Sequence, residues 1–295
     1  MPGASKRSDE IEVGEGIRLF HQDEGTGQAV VLVHGLIEDY RVWSNQIAPL
    51  SKRYKVVAYS RRFAVPNKNP GDIHEDTVEN NVTDLLGLIK NLHIAPIHLV
   101  GHSYGGLIST YFAYRYPELL RSLTLIEPSV FSVLIENPKS AIQRLILLLT
   151  HPSVARDALK FESNVLKQSV NTLKHGDPQN AVRILVDGDQ GRSGAFQQFS
   201  EEFRSMAMEN ATSIYVFETN WYVLKKEEIS QIKVPTLIIR GENTIKSSRY
   251  ISDSLRKLLS NSAEAVITRS GHFAQAENPE ELNSKLLEFL AKNSS

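Results

Sequence analysis

The sequence predicts an α/β architecture: a mostly parallel central sheet flanked by helices, with a mainly helical insertion. Three observations carry this expectation. Short β-rich apolar runs alternate with amphipathic helical patterns through residues 1–127. The runs are nearly continuous rather than polar at every second position, which is how strands buried on both faces of a parallel sheet read. The alternation then stops after Pro128 and resumes near residue 229, as expected when helices are inserted into an alternating fold.

In chain order, strands are expected at 17–22, 29–34, 55–59, 97–101, 122–127, 235–240 and 264–268. Between the third and fourth of these, residues 77–92 place Val78, Val82, Leu85, Ile89 and Leu92 at spacings of four and three, so one helical face packs on the sheet. The final helix opens Asn278-Pro279-Glu280-Glu281. That run supplies an N-cap, a first-position proline and a capping-box Glu. Its stripe Leu282, Leu286 and Leu290 covers the sheet. The expected organisation is a core of residues 1–127 and 229–295 carrying a helical cap, 128–228.

Composition narrows the function. The chain has 295 residues, with 33 Lys+Arg against 34 Asp+Glu and a formal net charge of −1. A nucleic-acid binder would carry a basic surplus. There are no cysteines, so disulfides, thiolate metal sites and Cys nucleophiles are excluded. Covalent chemistry would have to use Ser, Thr, Lys, Asp, Glu, His or Tyr. The start of the chain is charged but lacks the apolar stretch and small-residue cleavage site of a secretory signal, so a cytoplasmic location is expected. Apolar runs such as 29–33 and 145–149 are far shorter than the roughly 18 residues of a membrane span.

The chemistry is concentrated in Gly101-His102-Ser103-Tyr104-Gly105, directly after the run 97–100 and opening a helical stretch at 107–114. Glycines two residues either side of Ser103 allow a sharp strand-to-helix turn that lifts a serine hydroxyl above the sheet edge. Composition alone would produce about 0.1 such motif by chance. A serine hydroxyl needs a histidine as general base and a carboxylate to orient it. Of nine histidines, His272 follows a late strand, and in α/β sheets the site lies beyond the carboxyl ends of the strands. His34 and His102 are expected to shape loops. The remaining six are expected on surfaces or at element ends.

With these motifs the chain resembles the α/β-hydrolase superfamily, from about residue 17 to 290. The matching pieces are Val31-Leu32-Val33-His34-Gly35-Leu36 with Trp43, the Ser103 turn extended by Gly106, Pro235-Thr236-Leu237-Ile238-Ile239-Arg240-Gly241-Glu242, and Gly271-His272-Phe273. The resemblance implies an oxyanion hole made by the backbone N–H groups of Leu36 and Tyr104. It also implies an acid, and at this point the sequence departs from the common pattern. Many relatives carry an Asp where this chain has Thr244. Some relatives, including haloalkane dehalogenases, place the acid at the end of the preceding strand, which corresponds to Glu127 before Pro128. Glu127 is therefore the expected third member of the triad, with Glu242 as the alternative. Arg61-Arg62 stands where relatives often carry an Asp-x-Arg-Gly turn; carboxylate binding or loop anchoring are the two roles open to it.

The expected function is that of a serine hydrolase acting on an ester-like small molecule through an acyl-enzyme, with Ser103, His272 and Glu127 catalytic. No cofactor and no metal are expected; the partners are an acyl substrate and water, with no nucleic acid and no membrane span. Trp43, Phe131, Trp221 and Phe273 are candidates for substrate contact, with Tyr104, Phe196, Phe199 and Tyr222 as further aromatics near the pocket. The resemblance also admits C–C bond hydrolysis, acyl transfer, perhydrolysis, or a non-catalytic ligand-binding member of the fold. Serine at the elbow, where dehalogenases and epoxide hydrolases of the superfamily carry Asp, argues against those two activities.

Overall fold

The computed structural model describes residues 7–219, 221 and 223–294. Eight strands form one sheet: β1 Arg7–Gly14, β2 Ile17–Glu24, β3 Ala29–Val33, β4 Lys55–Tyr59, β5 Ile97–His102, β6 Leu120–Ile126, β7 Thr236–Gly241 and β8 Ser262–Ile267. Their order is β1-β2-β4-β3-β5-β6-β7-β8. β1 and β2 form an antiparallel hairpin, β2 pairs antiparallel with β4, and the rest of the sheet is parallel.

The chain leaves β3 toward one side to make β4, then returns and builds β5 to β8 on the other side. The order therefore reverses between β3 and β5, opening a crevice at their carboxyl ends where ligands bind in such sheets. The His34 and Ser103 loops both leave the sheet at that point.

The continuous apolar runs are explained by the two-sided core. Along β3, Val31 and Val33 pack into one buried cluster and Val30 and Leu32 into the other, so successive side chains serve opposite layers. The helix Val78–Asn91 buries Val78, Val82, Leu85, Leu88 and Ile89, and the Thr77 hydroxyl caps its start by accepting from Asn80 N–H. The closing helix Pro279–Lys292 buries Leu282, Leu286 and Leu290.

Three local expectations differ from what is observed. β1 was not anticipated, because RSDEIEVG is an exposed edge strand without a buried run. The capping box at Asn278 forms only in part: its backbone N–H already donates to Ala274 O, at 3.1 Å. The Glu281 carboxylate instead accepts from Thr268 N–H, Thr268 O–H and the Asn278 side chain. His21 and His98 lie inside the sheet rather than at its surface, His98 held by Ser122 Oγ and Gln28 Oε1.

Between β6 and β7 the described residues form helices and loops only, including Ala141–Thr150, Pro152–Phe161, Lys167–Lys174, Pro178–Asp189 and Glu201–Glu209. Among the described residues, no helix is long and apolar enough to cross a membrane.

Candidate active site

Ser103 sits between β5 and the helix Tyr104–Arg115 with φ 52° and ψ −116°. A non-glycine residue at positive φ costs backbone energy and persists only where its surroundings over-determine it. The determinants are steric. A Cβ at Gly101 would strike the Gly105 carbonyl and Ser109 Oγ, and one at Gly105 would strike the carbonyls of Val33 and His34. Helix and strands therefore approach closely enough to force the turn.

The His272 loop follows β8 and brings Nε2 to 2.9 Å from Ser103 Oγ. On the other side of the ring, Nδ1 lies 3.6 Å from Glu127 Oε2. Glu127 stands one residue beyond β6, is 2% exposed, and has φ 45°. Its Oε1 accepts from Gly241 N–H at 2.7 Å and its Oε2 from Thr244 O–H at 2.7 Å. Thr244, where many relatives carry an Asp, is thus a donor that holds the Glu127 carboxylate. Glu242 points elsewhere: it is exposed and accepts from Arg269 N–H at 3.0 Å.

A second buried acid stands behind this row. Glu38 accepts from Gly35 N–H at 2.7 Å and from the Gln275 amide at 3.0 Å, and faces His102 Nδ1 at 3.0 Å. The opposite nitrogen of His102 donates to the carbonyl of His272 at 2.9 Å, a carbonyl being able only to accept. This relay clamps the His272 loop to the β3 loop. His34 is locked as a neutral loop residue, accepting from Arg61 N–H with one nitrogen while the other meets Gly35 O. Burial holds it well below the usual imidazole range, with the Arg61 charge adding to the effect.

The amides of Leu36 and Tyr104 face no acceptor among the described residues. Tyr104 is the first residue of its helix, where N–H groups have no intrahelical partner. Its side chain points away, donating to Asp76 O at 2.9 Å beneath Arg61. Arg61 itself is buried in a two-pronged pair with Asp76 and also reaches Gly35 O, and Arg62 pairs with Asp84. Both arginines anchor loops.

Ser103 and His272 open into a small cavity lined also by Leu36, Phe131, Trp221 and Phe273. At about 20 Å³ it has room for roughly one water. Trp43 is not part of it: the ring is fully buried among core residues such as Val30 and Leu50. Phe196 is likewise core, and Phe199 lines an outer cleft. Tyr222 lies outside the described residues. That outer cleft is far larger, about 1060 Å³, but contains none of Ser103, His272 or Glu127. Among the described residues no group of three or more His, Asp or Glu side chains could hold a metal ion.

Two polar cavity residues escaped the sequence reading. Ser129 Oγ lies 3.2 Å from Ser103 Oγ. Asp189 ends the helix Pro178–Asp189 and lines the same cavity. Burial pushes its carboxyl up to about 6, against the pull of His272 and His102. Burial opposes the charge on His272, yet the negative charges of Asp189, Glu127 and Glu38 outweigh it and raise the imidazole to about 9. No local motif marks Asp189, because its relation to His272 exists only after the intervening helices fold back over the sheet.

A family model described as alpha/beta hydrolase fold matches residues 28–279. A bifunctional epoxide hydrolase 2 from Sus scrofa is 25% identical over 310 residues, covering 95% of this chain and 54% of that protein, so the chain spans about half its length. A 2-hydroxy-6-oxononadienedioate/2-hydroxy-6-oxononatrienedioate hydrolase from Comamonas testosteroni is 29% identical over 290 residues, covering 93% of this chain and 91% of that one. Among solved structures, carboxylesterase CesB from Bacillus subtilis superposes with a TM-score of 0.73 at 17% identity, covering 98% of this chain and 92% of that one.

Proposed function

The chain belongs to the α/β-hydrolase fold family, and on that premise we propose that it is a serine hydrolase cleaving a carboxylic ester through an acyl-enzyme. The observation that carries the reading is the 2.9 Å contact of Ser103 Oγ with His272 Nε2, backed by Glu127 at 3.6 Å from Nδ1.

In this reading Ser103 Oγ attacks the ester carbonyl while His272 takes its proton. The Leu36 and Tyr104 amides receive the negative charge on the carbonyl oxygen, each worth ~3 kcal/mol in the transition state. His272, now imidazolium, gives its proton to the departing alkoxide. Water, deprotonated by the same imidazole, then attacks the acyl-serine and releases acid and Ser103. Glu127 keeps the Nδ1 proton on its own side of the ring, so that Nε2 is free to accept. Residues 128–228 act as a cap over the core formed by 1–127 and 229–295. Phe131, Trp221 and Phe273 make the apolar wall, and the cap shifts to admit substrate, because the closed cavity holds no more than about one water.

The epoxide hydrolase relative fits less well, since that chemistry in the superfamily uses an Asp at the elbow. C–C bond hydrolysis is the second reading, supported by the Comamonas testosteroni relative that this chain covers over 91% of its length.

Intact-mass analysis after treatment with a fluorophosphonate tests the assignment. One stoichiometric adduct, absent from Ser103→Ala, is expected, followed by turnover of esters of graded acyl length. A folded protein that takes no adduct and turns over no ester would overturn it. Faster cleavage of a vinylogous diketone than of any ester would favour the second reading.

A further inference from the structure

The buried carboxylates Glu38, Asp39, Asp76, Asp84, Glu127 and Asp187 all accept from backbone N–H groups or from arginine side chains. Asp189 differs from them. It lies deep in the protein, yet no hydrogen bond from a described residue reaches its carboxylate. Part of its surface stays uncovered, and it lines the Ser103 cavity. Two residues earlier on the same helix, Asp187 is held by the N–H groups of Gly194 and Phe196, each at 2.9 Å. Asp189 ends the helix Pro178–Asp189, where the helix dipole disfavours a negative charge. A carboxylate kept out of water without donors is costly, and its retention calls for a partner that arrives from outside.

Two observations indicate the chemistry of that partner. The first is charge. Among the described residues no Lys or Arg lines the cavity. The charged groups acting on Asp189 are His272 and His102 on one side and Glu127 and Glu38 on the other. Each histidine already faces one of those glutamates, at 3.6 and 3.0 Å, and Arg61 is paired with Asp76. Asp189 is therefore a surplus negative charge in the site. The second observation is the rest of the wall. Phe131, Phe161, Phe217 and Trp221 line the same cavity, with the Trp221 ring 5.5 Å from Phe131 and 5.1 Å from Phe217. Trp221 donates its ring N–H to Val216 O, so none of these four side chains offers a free hydrogen-bonding atom. Aromatic rings beside a carboxylate form a setting that favours a cation. Because Asp189 and Ser103 share one cavity of about 20 Å³, a group held by the first stands within a few bonds of the carbonyl attacked by the second.

We propose that Asp189 is a substrate-binding residue that receives a protonated amine, so that the preferred substrates are esters carrying an ammonium group a few bonds from the scissile carbonyl. The carboxylate accepts the ammonium N–H groups in a charge-assisted hydrogen bond, and the rings of Trp221, Phe131 and Phe217 surround the rest of the cation. A substrate bearing a carboxylate at the same place would meet Asp189, Glu127 and Glu38 with no fixed cation to offset them. This inference rests on the ester-hydrolase reading and names the substrate class of that same site.

The test is steady-state hydrolysis by the full chain of two sets of isosteric esters. The ethyl esters of alanine, lactic acid and isobutyric acid present an ammonium, a hydroxyl or a methyl group on the acyl side. Dimethylaminoethyl acetate and isopentyl acetate make the same comparison on the alcohol side. At pH ~6.5 both amines are protonated. In at least one set the ammonium ester is expected to show a kcat/KM about tenfold or more above its neutral counterparts, and in Asp189→Asn that preference should disappear. Because kcat/KM reports the free enzyme, a change in His272 protonation acts on both members of a set alike and cancels in the ratio. The wild-type comparison stands independently of the variant's folding. Neutral esters cleaved as well as the ammonium esters in both sets would overturn the proposal, as would a preference that persists in Asp189→Asn. A lactate ester cleaved as well as any ammonium ester would also overturn it, since a hydroxyl would then be the group received. An adduct with the fluorophosphonate on Ser103 without turnover of either ammonium ester would refute this assignment alone. Absence of both the adduct and turnover of any ester would refute the hydrolase reading, and the assignment with it.

Discussion

Replacing Glu127 by Gln is the most discriminating perturbation of the site. The substitution keeps the shape and removes one charge. The Gln carbonyl oxygen can still accept from Gly241 N–H, and Thr244 Oγ can reverse its role and accept from the new amide, so packing around the side chain is preserved. What cannot be preserved is the contact with His272. An amide NH₂ directed at Nδ1 requires that nitrogen to be unprotonated, which moves the ring hydrogen to Nε2, the atom 2.9 Å from Ser103 Oγ. In that tautomer the imidazole cannot take the serine proton. Loss of the orienting acid in a serine triad costs about 10⁴ in kcat, equivalent to ~5 kcal/mol of activation free energy. The contact in the free protein is 3.6 Å, longer than a hydrogen bond. It tightens as the imidazolium forms, so a loss of about 10³ to 10⁴ is expected. The assay is steady-state hydrolysis of a soluble ester, with circular dichroism and Tm as controls and a Tm within about 4 °C of wild type. Glu242→Gln, at an exposed side chain that accepts from the Arg269 amide, should stay within about threefold. A Glu127→Gln enzyme that folds normally and loses less than tenfold would refute the reasoning, as would a larger loss in Glu242→Gln.

Two further outcomes follow from the electrostatics. Only neutral His272 can accept the serine proton, so kcat/KM should rise with pH along a limb displaced from the ordinary imidazole range toward about 9. Asp189→Asn removes a negative neighbour that favours the imidazolium. The limb should therefore move to lower pH and activity at pH 7 on a neutral ester should increase; an unmoved limb in the pH–rate profile would show that Asp189 does not act on His272. Arg61→Ala would strand the buried Asp76 carboxylate with the Asn81 amide as its remaining side-chain donor. It should cost ~3 kcal/mol in urea unfolding, near the lower end for a broken buried pair. A loss below about 1 kcal/mol would mean that water replaces the guanidinium there.

Much of this was legible in the sequence because it is local. Parallel strands buried on both faces write themselves as unbroken apolar runs, so β3 to β7 could be placed before the topology was known; β2 and β8, each partly exposed, were placed as well. β1 could not, since an edge strand facing water has no such run. The elbow was legible because its two glycines and its serine lie within five residues. Trp43 was misplaced as a pocket residue for the opposite reason: an aromatic side chain reads the same whether it lines a cavity or fills the core, and only its position among Val30 and Leu50 decides between them.

The sequence by itself determined the class of fold, the strand-to-helix turn at Ser103 and the absence of thiol chemistry, since each depends on residue type and short-range spacing. The tertiary structure decided everything that depends on distance between remote segments. It brought Glu127 within 3.6 Å of His272 across 145 positions of chain, with Thr244 turned to hold it. It set Asp189 inside the cavity, built the Glu38 relay beneath the histidine loop, and left the face of Ile142, Ile146 and Leu149 on the helix Ala141–Thr150 outside rather than in. Periodicity states that a helix has an apolar side; only packing states whether anything in the same chain covers it.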